Sequence, residues 1–161
     1  MKKIWLLTLF FLLTTKAAAD IVNIDLTVPK LNVDPYHKPY VAVWLESPNR
    51  KGLETIAVWY EKDDWLKDLR QWWRKIGRNK TSAYDAVTGA TRKPGNYTIR
   101  WNSKNNPTIA AGDYWLCFEA AREAGGRDFF RQKIQLGQSE AQTFQIDGDI
   151  ELGQINISIQ P

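Results

Sequence analysis

The sequence predicts a mainly β fold, an antiparallel β-sandwich of about eight strands with one inserted amphipathic helix. Three observations carry that expectation. Apolar residues alternate with a period of two along most of the chain, turn-forming residues punctuate the runs, and one segment alone switches to helical spacing.

Val22, Ile24, Leu26 and Val28 share one parity and predict the first strand, and Val41, Val43 and Leu45 predict the second. A period of two sends such residues to one face of a pleated strand, so each reads as half-buried. The pattern continues through Thr55 to Tyr60, then Tyr97, Ile99 and Trp101, then Tyr114, Leu116 and Phe118. Phe130, Gln132, Ile134 and Leu136 predict a sixth strand, Phe144 and Ile146 a seventh, and Ile155, Ile157 and Ile159 the last. Ser47-Pro48-Asn49, Asn105-Asn106-Pro107, Gly125-Gly126 and Asp147-Gly148 lie between the runs, where their residues tolerate or preset the dihedrals of tight turns.

From Asp63 to Ile76 the apolar residues Trp65, Leu66, Leu69, Trp72, Trp73 and Ile76 recur at three- and four-residue steps, which predicts an amphipathic helix. Asp63 or Asp64 is placed to cap its start, Arg74 and Lys75 suit its negative end, and Gly77 is placed to close it. The ordinary use of its three tryptophans is packing against a sheet. The functional alternative leaves an indole in a cleft to stack on a flat ligand, with Trp72 and Trp73 as the candidates.

Met1 to Ala19 reads as a cleavable export signal, with Lys2 and Lys3 at the start, an apolar run from Ile4 to Leu13, and Ala17-Ala18-Ala19 as the cleavage site. Ten apolar residues rise only about 15 Å as a helix, roughly half of a bilayer's hydrocarbon core, which argues against an anchor. The mature chain is expected to form a single domain over residues 20–161, to work in the periplasm and not to be an integral membrane protein.

Loss of Lys2, Lys3 and Lys16 lowers the formal charge from +4 to +1, so the basic balance of the precursor is no sign of a nucleic-acid partner. Cys117 is the one cysteine and His37 the one histidine, which excludes an internal disulfide and a cluster of soft metal ligands. Cys117 lies in Tyr114-Trp115-Leu116-Cys117-Phe118 and reads as a small buried hydrophobe. His37 has no nucleophile motif beside it, and Asp63-Asp64 is better explained by capping than by paired acid catalysis.

The densest chemistry is Asp85-Ala86-Val87-Thr88-Gly89-Ala90-Thr91. It resembles the sequence at which bacterial flavin transferases attach FMN: Asp, two residues, Ser or Thr, Gly, Ala, then Ser or Thr. At ordinary residue usage these five positions match by chance in about one window in two hundred thousand. The resemblance implies that the Thr91 hydroxyl attacks the FMN phosphate of FAD and releases AMP, with a metal supplied by the transferase. Gly89 would give the loop freedom to enter a foreign active site, Ala90 would keep the approach uncrowded, and Asp85 would engage the transferase or its cation. The structural alternative is that Thr88-Gly89-Ala90 is merely a turn before Arg92-Lys93-Pro94-Gly95.

A broader resemblance rests on Asp68-Leu69-Arg70-Gln71-Trp72-Trp73-Arg74, Asp85 to Thr91, and Arg92-Lys93-Pro94-Gly95. From about Val41 to the C-terminus the chain is similar to the bacterial periplasmic family called domain of unknown function 2271. Gly95 to Asn102 and Ala111-Gly112-Asp113-Tyr114 are similar to the immunoglobulin-like module of flagellar hook-capping proteins, which implies an immunoglobulin-like sandwich without implying flagellar function. The family resemblance implies an exported flavin carrier, in settings that include flavin transferases and membrane reductases with PepSY domains. Nothing outside the motif is similar to the flavin-binding domain of the better-known pumping reductases.

The leading expectation is therefore an extracytosolic redox carrier, a substrate of a periplasmic flavin transferase rather than an independent enzyme. It would take electrons from a membrane reductase through FMN on Thr91. Arg92, Lys93 or Arg70 would stabilise the anionic reduced ring. This reading requires Thr91 on an exposed loop near a partly open aromatic surface. The alternatives are a cofactor-free interaction module, and carbohydrate binding through exposed Trp44, Trp59 or Trp115.

Overall fold

The computed structural model describes residues 19–79 and 87–161. The export signal up to residue 18 and Asp85 of the motif lie outside the described residues. Among the described residues nine strands form: β1 (Ile21–Val28), β2 (Tyr40–Glu46), β3 (Gly52–Trp59), β4 (Thr88–Gly89), β5 (Gly95–Asn102), β6 (Gly112–Ala121), β7 (Arg127–Leu136), β8 (Gln142–Ile146) and β9 (Ile155–Gln160). All eight expected strands are present, and the extra one, β4, is two residues of the motif itself.

The strands make two sheets, ordered β5-β1-β9-β8 and β4-β3-β2-β6-β7, packed as a β-sandwich. Pairing of β1 with β5 in one sheet, against β3-β2-β6-β7 in the other, is the strand exchange of an immunoglobulin-like core. β9 takes the free flank of β1. Every pairing is antiparallel except β3 with β4, where Val58 faces Thr88 and Trp59 faces Gly89 in parallel. The inner faces of the sheets supply the main core, in which Ile24, Leu45, Phe118, Ile134 and Ile155 are almost fully buried.

β2, β3 and β6 depart from the half-buried expectation, because residues of both parities are buried over most of their length. The cause is a second apolar layer on the outer face of the five-stranded sheet. There Ala42, Trp44, Val58 and Cys117 pack with Leu66, Leu69 and Trp72 of the helical insertion. That layer turns strands with alternating sequence into strands buried on both faces.

The helical insertion also departs from expectation. Instead of one helix over Asp63–Ile76, a 3₁₀ helix (Asp63–Asp68) is followed by a break at Leu69 and a short α-helix, α1 (Arg70–Lys75). Leu69 leaves helical geometry with ψ of 67°. In a continuous helix the N–H groups of Gln71 and Trp72 would bond back to carbonyls one turn earlier. They donate instead to the carboxylate of Glu119 on β6, at 3.0 and 2.9 Å. The first helical turn has no side-chain cap, so neither Asp63 nor Asp64 plays that part. Gly77 serves packing, since a Cβ there would lie 2.6 Å from the Trp72 ring.

Glu119 is fully buried, and Arg127 Nε donates to it at 2.7 Å. Truncation at this position strands two backbone donors and a cation, the situation in which a buried ion pair is most costly to break. Glu119→Ala is expected to destabilise the protein by about 3 kcal/mol, read as a lower urea midpoint, with Glu119→Gln losing less because its amide oxygen still accepts.

Candidate functional site

The strand registers bring the chemistry to one end of the five-stranded sheet. Tyr40 faces Ala121, Val41 faces Trp59, and Trp59 faces Gly89. Tyr60 N–H donates to the Gly89 carbonyl at 2.9 Å. The motif, the start of β2 and the turn after β6 therefore share this end. In the other sheet Val28 faces Gly95, which brings the start of β5, just after Thr91-Arg92-Lys93-Pro94, to the end of β1.

Thr88 and Gly89 lie in extended edge strand, and Ala90 is exposed beyond them. A Cβ on Gly89 would meet Trp59 Cδ1 at 3.4 Å and Arg92 Nη2 at 3.6 Å, ordinary contacts, and no turn is made there. The alternative that Thr88-Gly89-Ala90 is a turn does not describe this geometry, and packing does not require a glycine at position 89.

Thr91 is in a loop, outside any ladder, but only 7% exposed, against the expectation of an open position. Its Oγ1 is buried with no hydrogen-bond partner among the described residues. A buried hydroxyl left unpaired costs about 1–3 kcal/mol, and among the described residues no group takes up this oxygen. Arg92 closes over the neighbouring aromatics, its Cζ 5.3 Å from the Trp59 ring centroid and 5.8 Å from that of Tyr97. Trp59 and Tyr97 meet edge to face at 5.5 Å, and Tyr97 Oη donates to the Lys93 carbonyl at 2.7 Å. Among the described residues the stack of Arg92 on two rings and the Tyr97 hydroxyl hold the loop.

These features fit a phosphoester-linked FMN in one respect and constrain it in another. The Thr91 oxygen has no hydrogen-bond partner among the described residues, and Arg92 and Lys93 follow it directly. The covered hydroxyl requires residues 90–94 to open before any outside enzyme can reach it.

The two tryptophans singled out as stacking candidates are not equivalent. Trp72 is fully buried and its Nε1 donates to Thr55 Oγ1 at 2.9 Å, which corrects the expectation of an open ring. Trp73 is half-buried and tilted against Trp72. The third tryptophan of the insertion, Trp65, is 40% exposed, because the tight 3₁₀ pitch before Leu69 carries it off the buried face. It lines a hollow of about 280 Å³ with Tyr40, His37, Glu61 and Arg122. A second hollow of about 310 Å³ shares Trp65, Asp68 and Arg122. Its only sequence signal was membership of the helical stripe, which pointed equally to Trp72.

Carbohydrate stacking finds no open ring among the strand tryptophans. Trp44 and Trp59 are buried, and Trp115 is half-buried between Arg50 and Arg131, whose Cζ atoms lie 5.3 and 5.9 Å from its ring. Among the described residues no group of three or more His, Cys, Asp or Glu side chains is disposed to hold a metal ion. No helix among them is long and apolar enough to cross a membrane.

Cys117 is fully buried, and desolvation, followed by the nearby Glu46 carboxylate, pushes its thiol far above the usual range. A raised thiol pKa keeps the neutral form through neutral and mildly alkaline pH. The native protein is expected to resist alkylation by iodoacetamide at pH 8, and to take up one equivalent once denatured, read by intact mass.

Neither a curated protein nor a solved structure gives a significant match to the chain. A family model described as "Predicted periplasmic protein (DUF2271)" matches residues 21–154. The match begins with β1, further toward the N-terminus than the resemblance from about Val41, and directly after the expected signal. The protein, a β-sandwich with an uncommitted threonine hydroxyl at one end, belongs to this family of periplasmic proteins.

Proposed function

We propose that the protein is a periplasmic electron carrier that bears FMN as a phosphoester on Thr91. The observation that carries this reading is that, among the described residues, neither packing nor hydrogen bonding explains Gly89 or the Thr91 hydroxyl of the motif. Gly89 is neither turn nor close contact, and the Thr91 oxygen bonds to no described residue. Periplasmic location supports it further, because the transferases that load such motifs act outside the cytoplasm.

The loading chemistry is a phosphoryl transfer. The Thr91 oxygen attacks the phosphorus on the flavin side of the FAD pyrophosphate. An oxygen–phosphorus bond forms as the bond to AMP breaks, and the hydroxyl proton passes to a base of the transferase. FMN, once attached, would supply reversible one- and two-electron exchange. The chain's own part is to present and then shelter the linkage. Arg92 and Lys93 place positive charge beside the phosphoester, and Arg92 covers Trp59 and Tyr97 when the loop is closed. A cofactor-free interaction module is the second reading, and no particular surface favours it.

Coexpression of the precursor with a periplasmic flavin transferase, followed by denaturation, intact mass and flavin fluorescence, tests the proposal. One FMN adduct is expected on wild type and none on Thr91→Ala. Wild type without the adduct sinks the carrier reading, and an adduct on Thr91→Ala moves the site elsewhere. Gly89→Ala is expected to melt at or slightly above the wild-type temperature, because glycine in a strand costs about 0.5–1 kcal/mol, yet to load poorly. The Arg92 stack is worth about 0.5–1 kcal/mol. Arg92→Ala is therefore expected to load about two- to fivefold faster in a timed mass assay.

A further inference from the structure

Resting on that carrier reading, we infer that the cleft beside Trp65 receives the flavin ring, and that Trp65 is its stacking partner. The aromatic surfaces divide cleanly. The Trp59–Tyr97 shelf next to Thr91 is closed by Arg92, with Trp59 only 6% exposed. Trp72 is buried, and Trp115 is stacked by two arginines at the opposite end of the sheet, where it faces Glu46. Trp65, at 40%, is the one exposed tryptophan among the described residues.

Reach favours the same place. Gly89, Trp59, Val41 and Ala120 stand abreast on β4, β3, β2 and β6. The far wall of the cleft at Ala121 is thus three strand spacings from the motif, about 14 Å. A five-carbon ribityl tether and three fused rings cover such a span from a neighbouring loop. The hollow of about 280 Å³ lies just below the usual range of ligand sites, roughly 300–1,000 Å³, a size for one flat ring system and no more.

The walls are held in place before any ring arrives. Arg122 is fixed by Glu151, its Nε donating at 2.9 Å, and the Tyr40 oxygen accepts from Lys62 N–H at 2.9 Å. Lys38 and Lys62 line the hollow with the carboxylates of Glu61, Asp68 and Glu123, so its walls carry charges of both signs, and neither lysine forms an ion pair among the described residues. Trp65 then stacks on one face and transfers an electron to the photoexcited flavin, which quenches its fluorescence.

The test uses full-length protein loaded by the transferase, with the adduct on every variant verified by intact mass. Folded wild type is expected to be dim, with high flavin anisotropy. Trp65→Ala is expected to be severalfold brighter with lower anisotropy, and Trp65→Phe brighter with anisotropy retained, since it keeps a ring but loses the indole donor. Trp115→Phe is expected to match wild type. If all four proteins carry FMN and the Trp65 variants are no brighter, the ring rests elsewhere while the carrier reading stands. If wild type carries no FMN, the carrier reading fails and the cleft assignment fails with it.

Discussion

Glu119 has no exposed surface, yet it is a carboxylate on the outer face of a central strand. A charge there survives only if every lone pair finds a donor. Three donors answer: the backbone N–H groups of Gln71 and Trp72, and the Arg127 side chain. That demand breaks the helical insertion at Leu69, seats α1 on the sheet, and puts the 3₁₀ pitch ahead of the break, so Trp72 is buried and Trp65 is turned outward. The second core layer, and the cleft beside it, follow from one buried acid.

The same device recurs at this end of the sandwich. Asp128 Oδ2 accepts from the N–H groups of Ile150, Glu151 and Leu152, at 2.7–3.0 Å. Glu151 in turn holds Arg122 and the Gly126 N–H. Buried carboxylates therefore pin the turn after β6 and the segment before β9, so the cleft has rigid walls although it is built from loops. The motif lies outside this lattice of bonds. β4 has two residues, pairs on one side only, and leads into a loop closed by the Arg92 stack. A sheltered group on a weakly held edge opens locally without unfolding the sheet behind it.

Much of the sandwich was legible because side-chain parity in a strand is a local property: Val22 to Val28 or Ile155 to Ile159 announces its buried face without reference to a partner. The count of turns and the position of the helical insertion were legible for the same reason. What covers the other face was not. Trp44, Cys117 and Glu119 sit at outward positions whose burial depends on a segment about 20 to 55 residues away in sequence, packed there only by tertiary contact. Periodicity assigned the six apolar residues of Asp63 to Ile76 to one face, and no local signal marked Leu69 as the break.

By itself, the sequence determined the fold class, the export signal's composition and the seven-residue motif, all of which depend on residues near one another along the chain. The tertiary structure decided which tryptophan is open, that the Thr91 hydroxyl is covered while the motif's glycine has room for a side chain, and that motif and cleft share one end of a sheet. Those are matters of long-range register and of buried charge seeking donors. A chain encodes them only through the contacts it makes when folded.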